Sequence, residues 1–316
     1  MEILVGSTGF VGSNLMLSQN FNAAFHSTDI DFAYGLCPDL LVYAGVTGTK
    51  FLANHQPEKD RQVIADAMKH IQRIRPRKLV LISTIDVYPN HGYGYEDDKP
   101  LEDALTVYGK NRLALEQWVE NNVKDYHIIR LPGIYGANLK KNFIYDLCHP
   151  NPPMVQKADF ERLFPPNDTV RECYQEWEDG YYHILDSLPC DKIRLLEQAF
   201  QNRGYTARRF TDSRGIYQYY HLKNLCAHIG IMLENHISKL NIATYPLSAA
   251  VICREAAGED FYNEISDDPA SYQMKTRYAA LFQREGPYLS DRRETLEEIA
   301  SFLRSTKSNC GRSQDG

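Results

Sequence analysis

Three observations predict an α/β fold in which a parallel sheet is wound on both faces by helices. The first is the opening stretch MEILVGSTGFVG, where an apolar strand, Glu2 to Val5, runs directly into Gly6, Gly9 and Gly12, after which Asn14 to Leu17 can start a helix. The second is the alternation of short apolar runs with amphipathic helical patterns over the first 135 residues, the signature of a parallel sheet covered by helices. The third is a change of character from Gly136, where Pro150, Pro152, Pro153, Pro165 and Pro166 break the chain and aromatic and charged residues crowd around Tyr174 to Tyr182 without sheet-like alternation. Together they describe a Rossmann-type doubly wound parallel sheet with a smaller, mainly helical C-terminal substrate region.

The expected strands are Glu2 to Val5, Ala23 to Ser27, Leu40 to Ala44, Lys78 to Ser83 and His127 to Leu131, each a short apolar run. Helices are expected near Gly12 to Ser18, Glu58 to Ile74 and Leu101 to Val123; in the second, Ile64, Ala67, Ile71 and Ile74 recur at helical spacing and form a core-facing stripe. Regular structure returns with Ile216 to His221, a helix near Leu222 to Asn235 and a strand, Lys239 to Ala243, that rejoins the sheet. This divides the chain into a dinucleotide-binding domain at 1–135, completed by 222–245, and a substrate region at 136–221 and 246–304. A last helix, Arg293 to Leu303, precedes a polar tail, 305–316, expected to be disordered.

A net charge of -6 and a sequence pI near 5.9 leave no nucleic-acid footprint on the whole chain. There is no run of 18 apolar residues and no basic segment ahead of a signal-like core, so no membrane partner and a cytoplasmic location are expected. Cys37, Cys148, Cys173, Cys190, Cys226, Cys253 and Cys310 are odd in number and include no C-x-x-C pair, and the ten histidines show no H-x-x-x-H spacing. Reduced, structural cysteines and no metal site follow.

The chemistry concentrates at three places. The glycine turn permits close backbone approach, so a pyrophosphate can sit on the amides of the helix N-terminus, where the dipole favours anions. The run ISTIDVY places Ser83, Thr84 and Asp86 at the carboxyl end of a strand, where open α/β sheets bind ligands. In VYGKNRLALEQWV, Tyr108 and Arg112 stand four apart on one helix face. A phenol is a poor base at neutral pH unless a cation stabilises the phenolate, and Arg112 is placed to provide that cation. Thr84 can hydrogen-bond the substrate oxygen on which Tyr108 acts.

GSTGFVG, STIDVY, YGKNR and RLPGIYG at Arg130 to Gly136, in that order and spacing, resemble the extended short-chain dehydrogenase/reductase family, the NAD-dependent epimerase/dehydratases that modify nucleotide sugars in carbohydrate biosynthesis. The resemblance covers about the first 140 residues. It implies that Thr84 and Tyr108 are catalytic and that Gly6, Thr8, Gly9, Phe10, Val11 and Gly12 bind NAD(P). With them go Ala44, Gly45 and Ser83 at the following strand ends, and Pro132 and Ile134 beside the nicotinamide. It further implies that Asn142, after Lys140 and Lys141, lies where family members contact the sugar nucleotide's diphosphate; an ordinary solvated pair is the other reading of the lysines. The implied activity is that of an epimerase, dehydratase or reductase on a nucleotide-sugar partner, with a homodimer left open. A non-catalytic dinucleotide-binding or redox-sensing protein of the same fold is the rival reading.

Two departures from the family pattern carry weight. Its lysine is Arg112 here, and a planar, permanently protonated guanidinium does not replace a compact ammonium; Lys50, after the strand Leu40 to Ala44, offers either a second cation at the substrate or a plain surface lysine. The strand after the glycine loop leads to Asp29, close to the roughly 20-residue spacing of a ribose-binding acid, with no arginine for a 2'-phosphate, which favours NAD over NADP. Asp86 stands where family dehydratases carry an acid, so it is either a conditional base for an alpha proton or a turn cap.

Overall fold

The computed structural model describes residues 1–89, 94–99, 101–186 and 188–312. Two compact units are present: 1–139 with 216–247 and 270–295, and 140–215 with 248–269 and 296–316. Residues 270–295, placed in the substrate region by the sequence, group with the first unit.

The first unit is built on β1 (Glu2–Val5), α1 (Phe10–Ser18), β2 (Ala23–Phe25), β3 (Leu40–Tyr43), α2 (Lys50–His55), α3 (Pro57–Ile74), β4 (Lys78–Thr84), α4 (Val107–Asn122) and β5 (Tyr126–Leu131), joined by a sixth strand, Lys239–Asn241. The sheet order is β2-β1-β3-β4-β5 and then Lys239–Asn241, with every pair parallel. The strands are apolar along their length because both faces are covered. On one face, Ile3, Leu41, Leu79 and Ile128 pack with Ile64, Ile71 and Ile74 of α3 and Leu115 and Val119 of α4. On the other, Leu4, Val42, Val80 and Ile129 pack with Leu15 of α1 and with Leu225, Ile229 and Met232. The chain leaves β1 toward β2 on one side and returns to β3 on the other, so the topological switch point, the usual ligand crevice, opens at the carboxyl ends of β1 and β3.

α4 begins at Val107 rather than Leu101 because Thr106 caps it, its hydroxyl accepting from the Gly109 amide at 3.2 Å. The second unit has a core of Val155, Phe160, Phe164, Phe200 and Tyr205. Among its helices stands a three-stranded antiparallel sheet of Met154–Gln156, Tyr181–Ile184 and Tyr174–Glu176, which the sequence reading missed because strands of three or four residues are too short to show alternation. The last helix runs from Arg292 to Arg312, so the expected disordered tail continues the helix as far as Arg312; residues 313–316 lie outside the described residues. No helix among the described residues is long and apolar enough to cross a membrane, and no metal-binding cluster is found among them.

Candidate active site

The glycine turn is shaped by its own close contacts. Gly6 has φ of +91°, and a Cβ there would lie 2.5 Å from the backbone of Ala44, so β1 and β3 approach only with glycine present. A Cβ on Gly12 would meet the Gly6 carbonyl oxygen at 2.1 Å, which locks the first turn of α1 against the loop. Gly9, the N-cap, has no side chain to satisfy the first amides of α1, and these have no acceptor within the helix. Bare amides, a positive helix end and a backbone free of side chains fit the pyrophosphate of a dinucleotide. Thr8 and Gly9 are exposed, Phe10 and Val11 half-buried, and Ala44 and Gly45 lie at the end of β3 across the crevice.

Asp29 is turned to a local task. One carboxylate oxygen accepts from the His26 amide at 2.6 Å and the other lies 3.1 Å from His26 Nε2, so the acid expected on a ribose closes its own turn. Ser83 is likewise redirected: its hydroxyl donates to Glu116 at 2.5 Å, and Glu116 forms a buried pair with Arg130 at 2.6 Å. The Ser83 side chain thus ties the end of β4 to the buried Glu116–Arg130 pair. Pro132 and Ile134 lie just beyond β5.

Thr84, the last residue of β4, N-caps the short 3-10 turn Ile85–Val87 by accepting from the Asp86 amide at 3.2 Å. Its own hydroxyl donates to Asp86 Oδ2 at 3.0 Å, while Lys50 Nζ donates to Asp86 Oδ1 at 2.6 Å. The turn is thus capped by Thr84 and not by Asp86, whose carboxylate instead couples a hydroxyl to an ammonium. Each carboxylate oxygen has one donor in this group. Lys50 reaches in from the start of α2 and stands 5.6 Å from the centre of the Tyr272 ring. Burial works against its charge, but Asp86 and then Tyr272 outweigh it and hold its pKa above the ordinary lysine value.

The first turn of α4 is pressed onto this group: a Cβ on Gly109 would sit 2.1 Å from the Asp86 carbonyl oxygen. That contact sets Tyr108, buried, beside the strand end. Burial pushes its phenol above the ordinary tyrosine range; the Arg112 charge pulls it down, Asp86 pushes it up and Lys50 pulls it down. Arg112 is not a surface cation. Its guanidinium carbon lies 4.0 Å from the Tyr108 ring centre, Nη1 donates to Asp60 at 2.5 Å and Nη2 to the Thr47 carbonyl at 2.5 Å. The side chain is 4% exposed and that of Asp60 0%. Asn111 adds a hydrogen bond to Asp60 at 2.7 Å.

Asn142 belongs to the second unit, as do Lys140 and Lys141. With φ of 101°, Asn142 caps Phe143–Cys148, its side chain accepting from the Tyr145 amide at 3.2 Å. Asp60, Thr47 and Tyr272 went unnoticed in the sequence. Asp60 reads there as one charge among many in PEKDRQ, and no local signal marked it as buried.

Residues 1–151 match the family described as RmlD substrate binding domain. By motif over its first 151 residues and by fold, the chain resembles the extended short-chain dehydrogenase/reductases. Among solved structures it is similar to a dTDP-4-dehydrorhamnose reductase from Bacillus anthracis in complex with NADP, at 16% identity over 96% of this chain and 97% of that one, with a TM-score of 0.60. It is also similar to a UDP-glucose-4-epimerase from Stenotrophomonas maltophila with bound NAD and formylated UDP-arabinopyranose, at 13% identity over 98% and 99%, with a TM-score of 0.59. MoeE5 in complex with UDP-glucose and NAD shares 14% identity over 96% and 99%, with a TM-score of 0.58. At these identities the solved structures show the shared fold. No curated protein matches the sequence. Against the family pattern that the sequence resembles, this chain keeps the threonine and tyrosine and has the buried Arg112–Asp60 pair in place of the lysine.

Proposed function

We propose that the chain is an NAD(P)H-dependent reductase acting on a keto group of a nucleotide-activated sugar. The observation that carries this reading is Tyr108, a phenol buried in the first turn of α4 where Gly109 presses on the turn after β4, its pKa raised by that burial, next to a glycine turn shaped for a dinucleotide. A bound reduced nicotinamide dinucleotide would supply the hydride. Tyr108 gives its proton to the carbonyl oxygen as that oxygen becomes an alcohol, which is what a phenol in its neutral form can do at neutral pH. Thr84, its own proton committed to Asp86, accepts from the alcohol so formed and orients it. Support for a sugar-nucleotide substrate comes from what the solved neighbours are named for and carry.

The test is to mix the purified chain with reduced dinucleotide, NADH and NADPH separately, and a panel of keto nucleotide sugars, and to follow the reduced-nicotinamide absorbance. Sugar-dependent loss of absorbance is expected. Saturable dinucleotide binding with no loss on any sugar would overturn the reading in favour of a non-catalytic dinucleotide-binding protein.

The glycine turn has its own check. A Cβ on Gly9 meets the Gly6 carbonyl oxygen at 3.2 Å, a tight contact that the loop must relieve by a few tenths of an ångström, so Gly9→Val should fold with some loss of stability. Its branched side chain covers the first amides of α1, where the pyrophosphate must sit. Loss of saturable dinucleotide binding in a chain that still unfolds cooperatively is expected; unchanged affinity removes the turn from the cofactor site.

A further inference from the structure

We propose that Lys50 is a positioning residue of the catalytic centre: through its ion pair with Asp86 it fixes the Thr84 proton, and it sets beside Tyr108 a positive charge from outside the Y-x-x-x-R helix. The inference rests on the reductase reading above. Two cations stand near Tyr108, and they differ in kind. Arg112 is permanently protonated, opposed by Asp60 at 2.5 Å and tied to the Thr47 carbonyl; its field on the phenol is steady and partly cancelled. Lys50 is an ammonium whose side chain is 52% exposed, while that of its partner Asp86 is 13% exposed. An unbroken hydrogen-bonded line therefore runs from near solvent through Lys50 Nζ, Asp86 Oδ1 and Oδ2 to Thr84 Oγ1, at 2.6 and 3.0 Å.

The charged and titratable groups acting on Tyr108 are Arg112 from its own helix, Asp86 from the turn after β4 and Lys50 from α2, with Asp60 of α3 behind Arg112. Those acting on Lys50 are Asp86, Tyr272 and Tyr108. If Lys50 is made neutral, Asp86 is left as an uncompensated negative charge near the phenol, which opposes phenolate formation. If Asp86 is made neutral, Lys50 is left uncompensated and favours the phenolate. The two halves of one ion pair must then move Tyr108 in opposite directions. A bridge that only braced the loop would not do this, because breaking it from either side would loosen the same contacts.

Ultraviolet titration of phenolate on the full chain, without cofactor or substrate, reads this directly when each protein is subtracted from its own Tyr108→Phe counterpart. Relative to the unmodified chain, Lys50→Met should ionise Tyr108 at higher pH and Asp86→Asn at lower pH. Lys50→Arg should stay near the unmodified curve and the Lys50→Met/Asp86→Asn pair should fall between the two single variants. In turnover, Lys50→Met should lower kcat about tenfold or more with the substrate KM little changed, as for an interaction made in the transition state, and Lys50→Arg should recover it. Shifts in one common direction, or no shift, overturn the proposal. Because the titration needs no turnover, a chain inactive on every sugar would sink the reductase reading while the Tyr108 curves still decide the role of Lys50.

Discussion

Tyr108→Phe is expected to lower kcat at least about a hundredfold, the lower end of what a positioned acid contributes, with dinucleotide affinity nearly unchanged. The phenyl ring keeps the volume that buries Tyr108 and the face on which the Arg112 guanidinium lies 4.0 Å from the ring centre, so the fold has no reason to respond. Only the hydroxyl is lost, and with it the proton for the carbonyl oxygen. Thr84 cannot substitute, because its proton is given to Asp86 at 3.0 Å. Lys50 is a poor replacement, since against its burial Asp86 at 2.6 Å favours its keeping the proton and holds its pKa above the ordinary lysine value. Steady-state kinetics with a dinucleotide titration check both halves of the expectation. Ordinary turnover in the variant would remove Tyr108 from the mechanism.

What the sequence could show of this site is what short-range pattern encodes. The strand-to-helix turn was legible because glycines at 6, 9 and 12 interrupt an apolar run, and its steric reason then appears as the 2.5 Å approach to Ala44. The five sheet strands of the first 135 residues were legible because burial in the sheet makes most of each one apolar, with exceptions such as His127 and Arg130 in β5. Partnerships between distant segments were not. Ser83 sits in the right motif, yet its hydroxyl goes to Glu116, 33 residues on. Asp29 sits near the spacing of a ribose acid, yet its carboxylate is taken by His26 three residues back. The polar end of the last helix reads as disorder by composition, but a helix already begun extends at low cost, and Leu296, Ile299 and Leu303 are buried along it. Lys50 and Asp86 were each open to two readings in isolation, a surface lysine or a cation and a turn cap or a base, and nothing local in the sequence announced their 2.6 Å pairing across 36 residues.

Asp60 is where burial changes a magnitude by itself. Were Arg112 paired with a surface carboxylate, removing the pair would cost no more than about 1 kcal/mol. Here the partners are 4% and 0% exposed, and Asp60 is also the acceptor for Asn111. Asp60→Ala leaves a guanidinium buried without its counter-charge, so a loss of about 3–5 kcal/mol in unfolding free energy is expected, as for one-sided removal of a buried pair. The double variant Asp60→Leu/Arg112→Met leaves no orphaned charge and should recover most of that loss. Denaturant titrations of the two proteins check the difference, and a single variant as stable as the unmodified chain would mean that the pair is solvated in solution. The same substitution acts on the chemistry. Without Asp60 the Arg112 field on Tyr108 is no longer opposed, so the phenol should ionise at lower pH and the alkaline limb of the reduction rate should begin earlier. Arg112→Met should move that limb the other way, because the guanidinium is a cause that lowers the Tyr108 pKa. Opposite displacements of the limb in pH-rate profiles would place Arg112 among the groups that tune Tyr108, whereas superimposable profiles would leave it a purely structural partner of Asp60.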